Sequence, residues 1–184
     1  MKEIEIKARL RDKEAVKKKL SVLGCVFEKP IRQEDVVYAK KIGSLKDFRS
    51  NDFFLRLRTR DDGRVLFTIK KRMANDLDAI EHELEISSKD EMERAILLMG
   101  FKEAARLNKV REITNYNGSE VCIDEVERLG SFIEMETLTE EADSVAVQEK
   151  MFEFFISLGV KKEDRAMSGY DILMMERNNH GHKL

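Results

Sequence analysis

The first seven residues, Met1-Lys2-Glu3-Ile4-Glu5-Ile6-Lys7, alternate charged and apolar side chains from Glu3 onward. Successive side chains of a β-strand point to opposite faces, so this stretch predicts a strand with charges on one face and isoleucines on the other. One amphipathic strand proves little, because one face of a sheet is often in contact with water. The pattern is informative here because it recurs along the chain.

Further stretches repeat this alternation. They are Leu55-Arg56-Leu57-Arg58, Phe67-Thr68-Ile69-Lys70, Glu81-His82-Glu83-Leu84-Glu85-Ile86, Lys109-Val110-Arg111, Val121-Cys122-Ile123-Asp124 and Phe132-Ile133-Glu134-Met135-Glu136. Like charges two residues apart lie roughly 7 Å from each other along a strand and repel, so the pattern costs stability unless counterions intervene. A chain with both acidic and basic stretches suggests a ligand set that supplies both charges, namely a divalent metal ion with a polyphosphate.

Glu3-Ile4-Glu5-Ile6-Lys7 resembles the ExExK signature of the CYTH superfamily, the triphosphate tunnel metalloenzymes. The order of the later stretches also resembles this family: LRLR, a lone strand lysine, ExE, KxR, a strand aspartate and a final ExE, ending at Glu136. ExExK alone is a weak motif in so charged a chain, whereas the ordered set is specific. The chain is most similar to class IV adenylyl cyclases, which have thiamine triphosphatase and inorganic triphosphatase relatives.

Composition agrees with one compact enzyme domain over residues 1–184. Hydrophobic residues make up 42% of the chain, which argues against disorder. The formal net charge of −2 gives no general attraction to nucleic acid or to anionic membranes, and no apolar run approaches a membrane span. The two cysteines are too few for a disulfide scaffold, so we expect reduced thiols and a cytoplasmic location.

The coarse pattern predicts about eight strands, most of them joined by hairpins such as the one at Asn117-Gly118. Hairpins favour antiparallel pairing, and closing the sheet would remove its edges and bring the charged faces together. We therefore expect an α+β fold: a closed eight-stranded antiparallel β-barrel with a polar lumen and helices packed on the outside. Residues 42–51 are expected to form a polar loop, and Tyr170–Glu176 one or two helical turns.

The helices are expected to cover the outward apolar side chains of the strands. These side chains are Ile4, Ile6, Leu55, Leu57, Phe67, Ile69, Leu84 and Ile86.

Basic side chains of the strands are the candidates for phosphate contacts, because arginine forks and lysine ammonium groups suit phosphate oxygens. They are Lys7, Arg56, Arg58, Lys70, Lys109 and Arg111, and those proposed as catalytic are Lys7, Arg58, Lys70 and Arg111. Mg²⁺ or Mn²⁺ prefers hard oxygen ligands, for which the candidates are Glu3, Glu5, Asp124, Glu134 and Glu136. The resemblance implies that the first and last ExE pairs carry the metal, and that Glu83 and Glu85 support the site or hold a second metal.

The sequence leaves the reaction open, because a cyclase and a triphosphatase need the same phosphate clamp. In a cyclase the ribose 3′-hydroxyl attacks the α-phosphorus, whereas in a triphosphatase water attacks the terminal phosphorus. The absence of tryptophan disfavours a specialised thiamine site, although Phe or Tyr could substitute. The other alternative is a polyphosphate- or nucleotide-binding module without catalysis. The expected partner is a small-molecule triphosphate, with a homodimer as a further possibility.

Overall fold

The computed structural model describes residues 2–140 and 143–180, apart from the side chains of residues 2, 179 and 180. The strands in this part of the chain are β1 (Lys2–Arg9), β2 (Ile31–Ala39), β3 (Phe54–Arg60), β4 (Val65–Arg72), β5 (Asp78–Ile86), β6 (Lys102–Tyr116), β7 (Ser119–Val126), β8 (Gly130–Thr139) and β9 (Arg165–Ala166). The helices are α1 (Lys13–Val22), α2 (Leu45–Arg49), α3 (Lys89–Leu98), α4 (Ser144–Ser157) and α5 (Tyr170–His180), with a 3-10 turn at Lys162–Asp164.

The first eight strands form a closed antiparallel barrel, as the sequence predicts. The strand order is β5-β4-β3-β2-β6-β7-β8-β1, and a further pairing of β5 with β1 closes the ring. Strand β1 pairs with β8 along its whole length, whereas its other edge pairs with β5 at Glu3 and Ile4 and with β9 at Lys7 and Ala8. Closure removes the exposed edges of the sheet and makes one face of every strand an inner wall.

The apolar faces of the strands point outward, and most of them are covered by helices. Ile4 and Ile6 of β1 are buried in one cluster with Phe155 of α4 and Leu20 of α1. Ile96 of α3 is buried in a second cluster on strands β2, β3 and β4. The charged inner faces are therefore fixed in place by an apolar outer shell.

The expectation that helices cover every outward apolar side chain was wrong for β4 and β5. Ile69 is 37% exposed and Leu84 is 51% exposed. Helix α3 has only ten residues, and Ile96 is its one buried residue, so this helix is too short to cover the outer face of β5.

Two expectations about local structure need correction: the polar loop at residues 42–51 was wrong, and the expected C-terminal helix begins at Tyr170 but is longer than one or two turns. Residues 42–51 contain the helix α2, because Ser44 accepts a hydrogen bond from Asp47 N at 3.1 Å and Phe48 anchors the turn in the core. The C-terminal segment forms the eleven-residue helix α5, with Ile172 and Met174 buried. Both helices depend on a few tertiary contacts, which weak local periodicity does not reveal.

The cysteines and the helices agree with two expectations drawn from the composition, namely reduced thiols and no membrane-spanning run. Cys25 and Cys122 are both free and buried, so no disulfide joins them. Each helix in residues 2–140 and 143–180 is too short or too polar to cross a membrane.

Candidate functional site: a tunnel with a basic and an acidic arc

The barrel encloses a cavity of about 420 Å³, lined mainly by charged side chains. Positive charge is concentrated on strands β3, β4 and β6, and β2, which lies between β3 and β6, adds Gln33, Asp35 and Val37 to this side of the wall. We call this side the basic arc, defined by Arg56, Arg58, Arg60, Lys70, Arg72, Lys109 and Arg111. Negative charge is concentrated on β5, β1, β8 and β7. We call this side the acidic arc, defined by Glu3, Glu5, Glu81, Glu83, Glu120, Glu134 and Glu136.

The two arcs form ion pairs at the boundaries where they meet. Lys70 of β4 pairs with Glu81 of β5, and Arg56 of β3 extends across β4 so that its Nη2 lies 3.1 Å from Glu83 Oε2. Burial opposes ionisation of Glu81, but Lys70 and Arg56 outweigh it and lower the pKa of this carboxyl to about 2. Glu81 is therefore a firmly ionised partner for Lys70.

Between β6 and β7, Arg111 donates to both carboxylate oxygens of Asp124, from Nε at 2.8 Å and from Nη2 at 2.6 Å. The same guanidinium reaches across to Glu134 Oε1 at 2.7 Å. Asp124 is fully buried and holds Arg111 in a fixed orientation, because a planar fork bound at two points cannot turn.

The interior of the basic arc contains its own acidic support. Arg58 donates to Asp35 from Nε at 2.7 Å and from Nη2 at 2.8 Å. Burial opposes ionisation of Asp35, but Arg58 outweighs it and holds the pKa of this carboxyl well below its usual range. The positive charge of Lys109 is less well balanced by carboxylates. Burial and the neighbouring Arg111 outweigh the nearby acids and lower the pKa of Lys109 to about 8. An added anion would relieve the crowding of positive charge around Lys109.

The interior of the acidic arc places carboxylates directly opposite each other. Glu136 of β8 faces Glu5 of β1 on one side and Glu120 of β7 on the other. Cβ atoms of such partners lie roughly 5 Å apart, and like charges in these positions are destabilising. Burial, followed by Glu134 and Glu120, raises the pKa of Glu136 to about 7.

Glu3 shows the same crowding, since burial and nearby carboxylates raise its pKa to about 8 despite the Lys70 ammonium.

Among the described side chains of β1, Lys7 is the one cation that lines the cavity, and it lies within the acidic arc. Its ammonium pairs with Glu5 and lies 2.9 Å from Glu134 Oε2. Burial opposes its charge, but these two carboxylates raise the pKa of Lys7 above its ordinary value. Lys7 neutralises part of the arc and Lys70 Nζ lies 3.8 Å from Glu3 Oε1, whereas Glu120 and Glu136 have no ion pair with a described cation.

The donor set of the acidic arc fits Mg²⁺ or Mn²⁺ bound together with phosphate. Within residues 2–140 and 143–180, no three His, Cys, Asp or Glu side chains are grouped so that they could hold a metal ion by themselves. Mg²⁺ commonly takes only one or two carboxylates and completes its shell with water and substrate phosphates. Carboxylates crowded on β1 and β8 match this requirement, because a divalent cation would remove their repulsion.

The start of α5 covers one end of the tunnel. Tyr170 enters the lumen, donates from its hydroxyl to Asp124 Oδ2 at 2.9 Å, and places its ring 3.9 Å from Lys7 Nζ. Asp171 accepts from Arg72 Nη2 at 3.1 Å, and the Arg72 guanidinium packs 4.5 Å from the ring of Phe54. These contacts tie the end of β4 to the C-terminal helix.

The structure brings most of the sequence-predicted residues into the tunnel wall. Those that line the cavity are Glu3, Glu5, Lys7, Arg56, Arg58, Lys70, Glu83, Lys109, Arg111, Glu134 and Glu136. Asp124 lies behind Arg111 with no exposed surface, and Glu85 is exposed near the end of β5 outside the cavity lining. The roles assigned to all of these residues remain predictions.

Several lining residues were missed by the sequence analysis. Glu81 and Arg60 each lie two residues from a predicted lumen position and Glu120 lies four residues before Asp124, so strict alternation could have found them. Asp35 and Gln33 lie on β2, where the polar run from Arg32 to Asp35 hides the alternation of the two faces. No local signal places Tyr170, which reaches the lumen from a helix.

Comparisons with known proteins agree on one family. The model of the CYTH domain matches residues 1–170. A Methanocaldococcus jannaschii protein, provisionally named an adenylate cyclase, is 34% identical over 173 residues, which cover 92% of this chain and 97% of that protein.

Two solved structures illustrate the likeness in fold. The PH1819 protein of Pyrococcus horikoshii has a TM-score of 0.80 and 28% identity, over 95% of this chain and 99% of that one. HpAC1 of Hippeastrum, a provisionally assigned adenylyl cyclase described as having a dominant triphosphatase activity, has a TM-score of 0.58 and 20% identity, over 92% and 91% of the two chains. At that identity the likeness concerns the fold alone.

Proposed function

The chain belongs to the CYTH domain family, and on this premise we propose that it is a metal-dependent enzyme that acts on a triphosphate inside its tunnel. The observation that carries the proposal is the division of one lumen into a basic arc and an acidic arc. A polyphosphate alone would neutralise only the first, and a metal ion alone only the second. A metal–triphosphate complex supplies both charges at once.

The basic arc binds and orients the phosphates. In this proposal the phosphate contacts come from Arg56, Arg58, Lys70, Lys109 and Arg111, with Lys7 reaching in from the opposite wall. Arg58 and Arg111 are held at two points by carboxylates, so they are preorganised to stabilise negative charge that develops during phosphoryl transfer. Lys70 supplies a point charge at the boundary with β5, and Lys7 supplies one from within the acidic arc.

The acidic arc holds the metal. Glu3, Glu5, Glu134 and Glu136 would be the carboxylates around Mg²⁺ or Mn²⁺, which neutralises phosphate charge and makes the phosphorus easier to attack. The contacts of Asp124 support a positioning role for this residue, because both of its oxygens are engaged by Arg111 and one also accepts from Tyr170. Its role as a metal ligand remains a sequence-based prediction.

The reaction we propose is conversion of ATP to cyclic AMP and pyrophosphate, in which the ribose 3′ oxygen attacks the α-phosphorus and pyrophosphate leaves. The provisional name of the Methanocaldococcus jannaschii relative supports this choice, since that protein and this chain align over nearly their full lengths. Exclusion of water from the enclosed lumen would favour the ribose hydroxyl over water as the attacking group.

Hydrolysis of an inorganic or organic triphosphate is the second candidate. It is favoured by the small aromatic surface of the lumen, in which Phe54 and Tyr170 are the aromatic side chains among the described lining residues. A base would find few rings on which to stack.

One assay separates these reactions from binding without catalysis. Purified protein is incubated with ATP or with tripolyphosphate, each with Mg²⁺ or Mn²⁺, and the products are identified. Cyclic AMP with pyrophosphate supports the cyclase, and release of orthophosphate supports the triphosphatase. Tight binding without turnover would leave a binding module, and the absence of both binding and turnover would refute the proposal.

A further inference from the structure

Gln33 of β2 is unusual among the side chains of the tunnel wall. It lies opposite Arg60 of β3 and Lys109 of β6, and all three residues line the cavity. It is the only carboxamide among the described lining residues, where nearly every other polar side chain is charged.

Gln33 is also unpaired. The residue is only 5% exposed, and no described residue donates a hydrogen bond to its Oε1. Buried amide oxygens without a partner are rare in proteins and call for an explanation. The nearby Asp35, in contrast, has its hydrogen-bond partner, since Arg58 donates to both of its carboxylate oxygens. A carboxamide in this wall therefore has a free acceptor at a place where ligand charge is expected.

An ionised polyphosphate does not satisfy such an acceptor, because its oxygens are themselves acceptors. A nucleoside can satisfy it, because the hydroxyl groups of the sugar and the amino group of the base are hydrogen-bond donors, and acceptors lie beside them. The last torsion of a glutamine is broad, so either its oxygen or its nitrogen can turn toward a ligand. We infer that Gln33 is a specificity-determining residue that recognises the nucleoside part of a nucleoside triphosphate and thereby discriminates it from inorganic tripolyphosphate.

Two apolar side chains on the same side of the tunnel wall as Gln33 support this inference. Leu107 lies opposite Asp35 on β6, and Leu66 lies opposite Arg58 on β4. Both line the cavity. Apolar surface beside a single carboxamide suits an uncharged organic group better than a phosphate. The inference rests on the proposed function and adds to it the residue that selects the nucleoside part of the substrate.

The test compares two ligands in two variants. Gln33→Met removes the amide with little change of volume, and Asn108→Leu removes a matched amide from the exposed outer face of the adjacent strand β6. Dissociation constants for ATP and for tripolyphosphate are measured by calorimetry with Mg²⁺, together with kcat/KM where turnover occurs. We expect Gln33→Met to weaken ATP about tenfold, the effect of one lost hydrogen bond, and to leave tripolyphosphate and the Asn108→Leu protein within about twofold of wild type.

Each other outcome overturns the inference in a recognisable way. Equal loss of affinity for both ligands would show that Gln33 contacts the phosphates. Unchanged affinity for both would show that it contacts neither ligand. If the wild-type protein binds tripolyphosphate but not ATP, the inference fails while a triphosphatase remains. If it binds neither, the proposed function fails as well. Should Gln33→Met fold poorly by circular dichroism, Gln33→Asn, which retracts the amide by one methylene, is expected to show the same loss for ATP alone.

Discussion

The basic arc and the acidic arc are each built from four adjacent strands, yet they balance their charges in different ways. In the basic arc Arg58 is paired with Asp35 of the neighbouring strand, so this guanidinium is held in place before any ligand arrives, although positive charge is still crowded around Lys109. In the acidic arc Glu5, Glu136 and Glu120 stand opposite one another on adjacent strands. The difference indicates that part of the basic arc is preorganised, whereas the acidic arc stores repulsion that a bound cation would release.

The largest expected effect on stability comes from breaking the pair inside the basic arc. Arg58→Met leaves Asp35 as a buried carboxylate without its main partner, which should lower the free energy of unfolding by about 3–5 kcal/mol. Urea unfolding monitored by circular dichroism measures the loss. The double variant Arg58→Met/Asp35→Asn is the control and should recover much of it. A single variant as stable as wild type would contradict the idea that this arc is internally balanced.

Glu5→Gln should separate function from stability in the acidic arc. Loss of one metal-binding carboxylate is expected to reduce kcat roughly 10²–10³-fold, comparable with the loss of one preorganised catalytic group. The metal-free protein should be as stable as wild type or more so, because burial and Glu134 raise the pKa of Glu5 and disfavour its charged form. Steady-state assays and thermal unfolding in EDTA measure the two effects.

Glu153→Gln, an exposed change on α4, is the matched control for Glu5→Gln. It should leave both turnover and stability unchanged. Near wild-type turnover in Glu5→Gln would remove Glu5 from the site, and a large loss of stability would show that this carboxylate supports the fold instead.

The closure of the acidic arc depends on α4. Gln148 donates from Nε2 to the backbone oxygens of Glu5 at 3.0 Å and of Leu77 at 3.2 Å, at the place where β1 meets β5 over few residues. Gln148→Leu leaves the buried Glu5 carbonyl without this donor and should cost about 1–3 kcal/mol. Urea unfolding gives the loss of stability. Relative to wild type, amide hydrogen exchange in the variant should accelerate more in β1 than in β3. Unchanged exchange in β1 would show that the strands close without α4.

A smaller effect is expected from pH. The pKa values of Glu3 and Glu136 are raised from an ordinary 4.5 to about 8 and about 7. Between pH 5 and 8 the folded protein therefore holds protons that the unfolded chain has released, and the metal-free protein should lose stability as pH rises. Excess Mg²⁺ should flatten this slope, since it favours the ionised carboxylates.

Denaturation midpoints at several pH values, in EDTA and in Mg²⁺, test this pH dependence. Glu136→Gln should reduce the slope in EDTA. Stability that rises over the same pH range would contradict the crowding of carboxylates in the acidic arc.

The sequence predicts the barrel and most of its lining because alternation determines which face of a strand a residue occupies. Lys7, Arg58 and Glu136 line the cavity for this reason. Alternation does not show how far along a strand the lumen extends, and so Glu85 was grouped with Glu83 although it lies outside the cavity lining. It also does not show depth, so Asp124 could not be recognised as buried behind Arg111. The position of Tyr170 depends on how α5 packs against the barrel, which strand alternation does not predict.

The most direct test of the two-arc account is a crystal structure with Mn²⁺ and a non-hydrolysable ATP analogue, in which anomalous scattering locates the metal. The account predicts the Mn²⁺ peak beside the carboxylates of β1 and β8, with the phosphates against Arg58 and Lys109 on the opposite wall. Metal and phosphates bound outside the tunnel, or Mn²⁺ located on the basic arc, would contradict it.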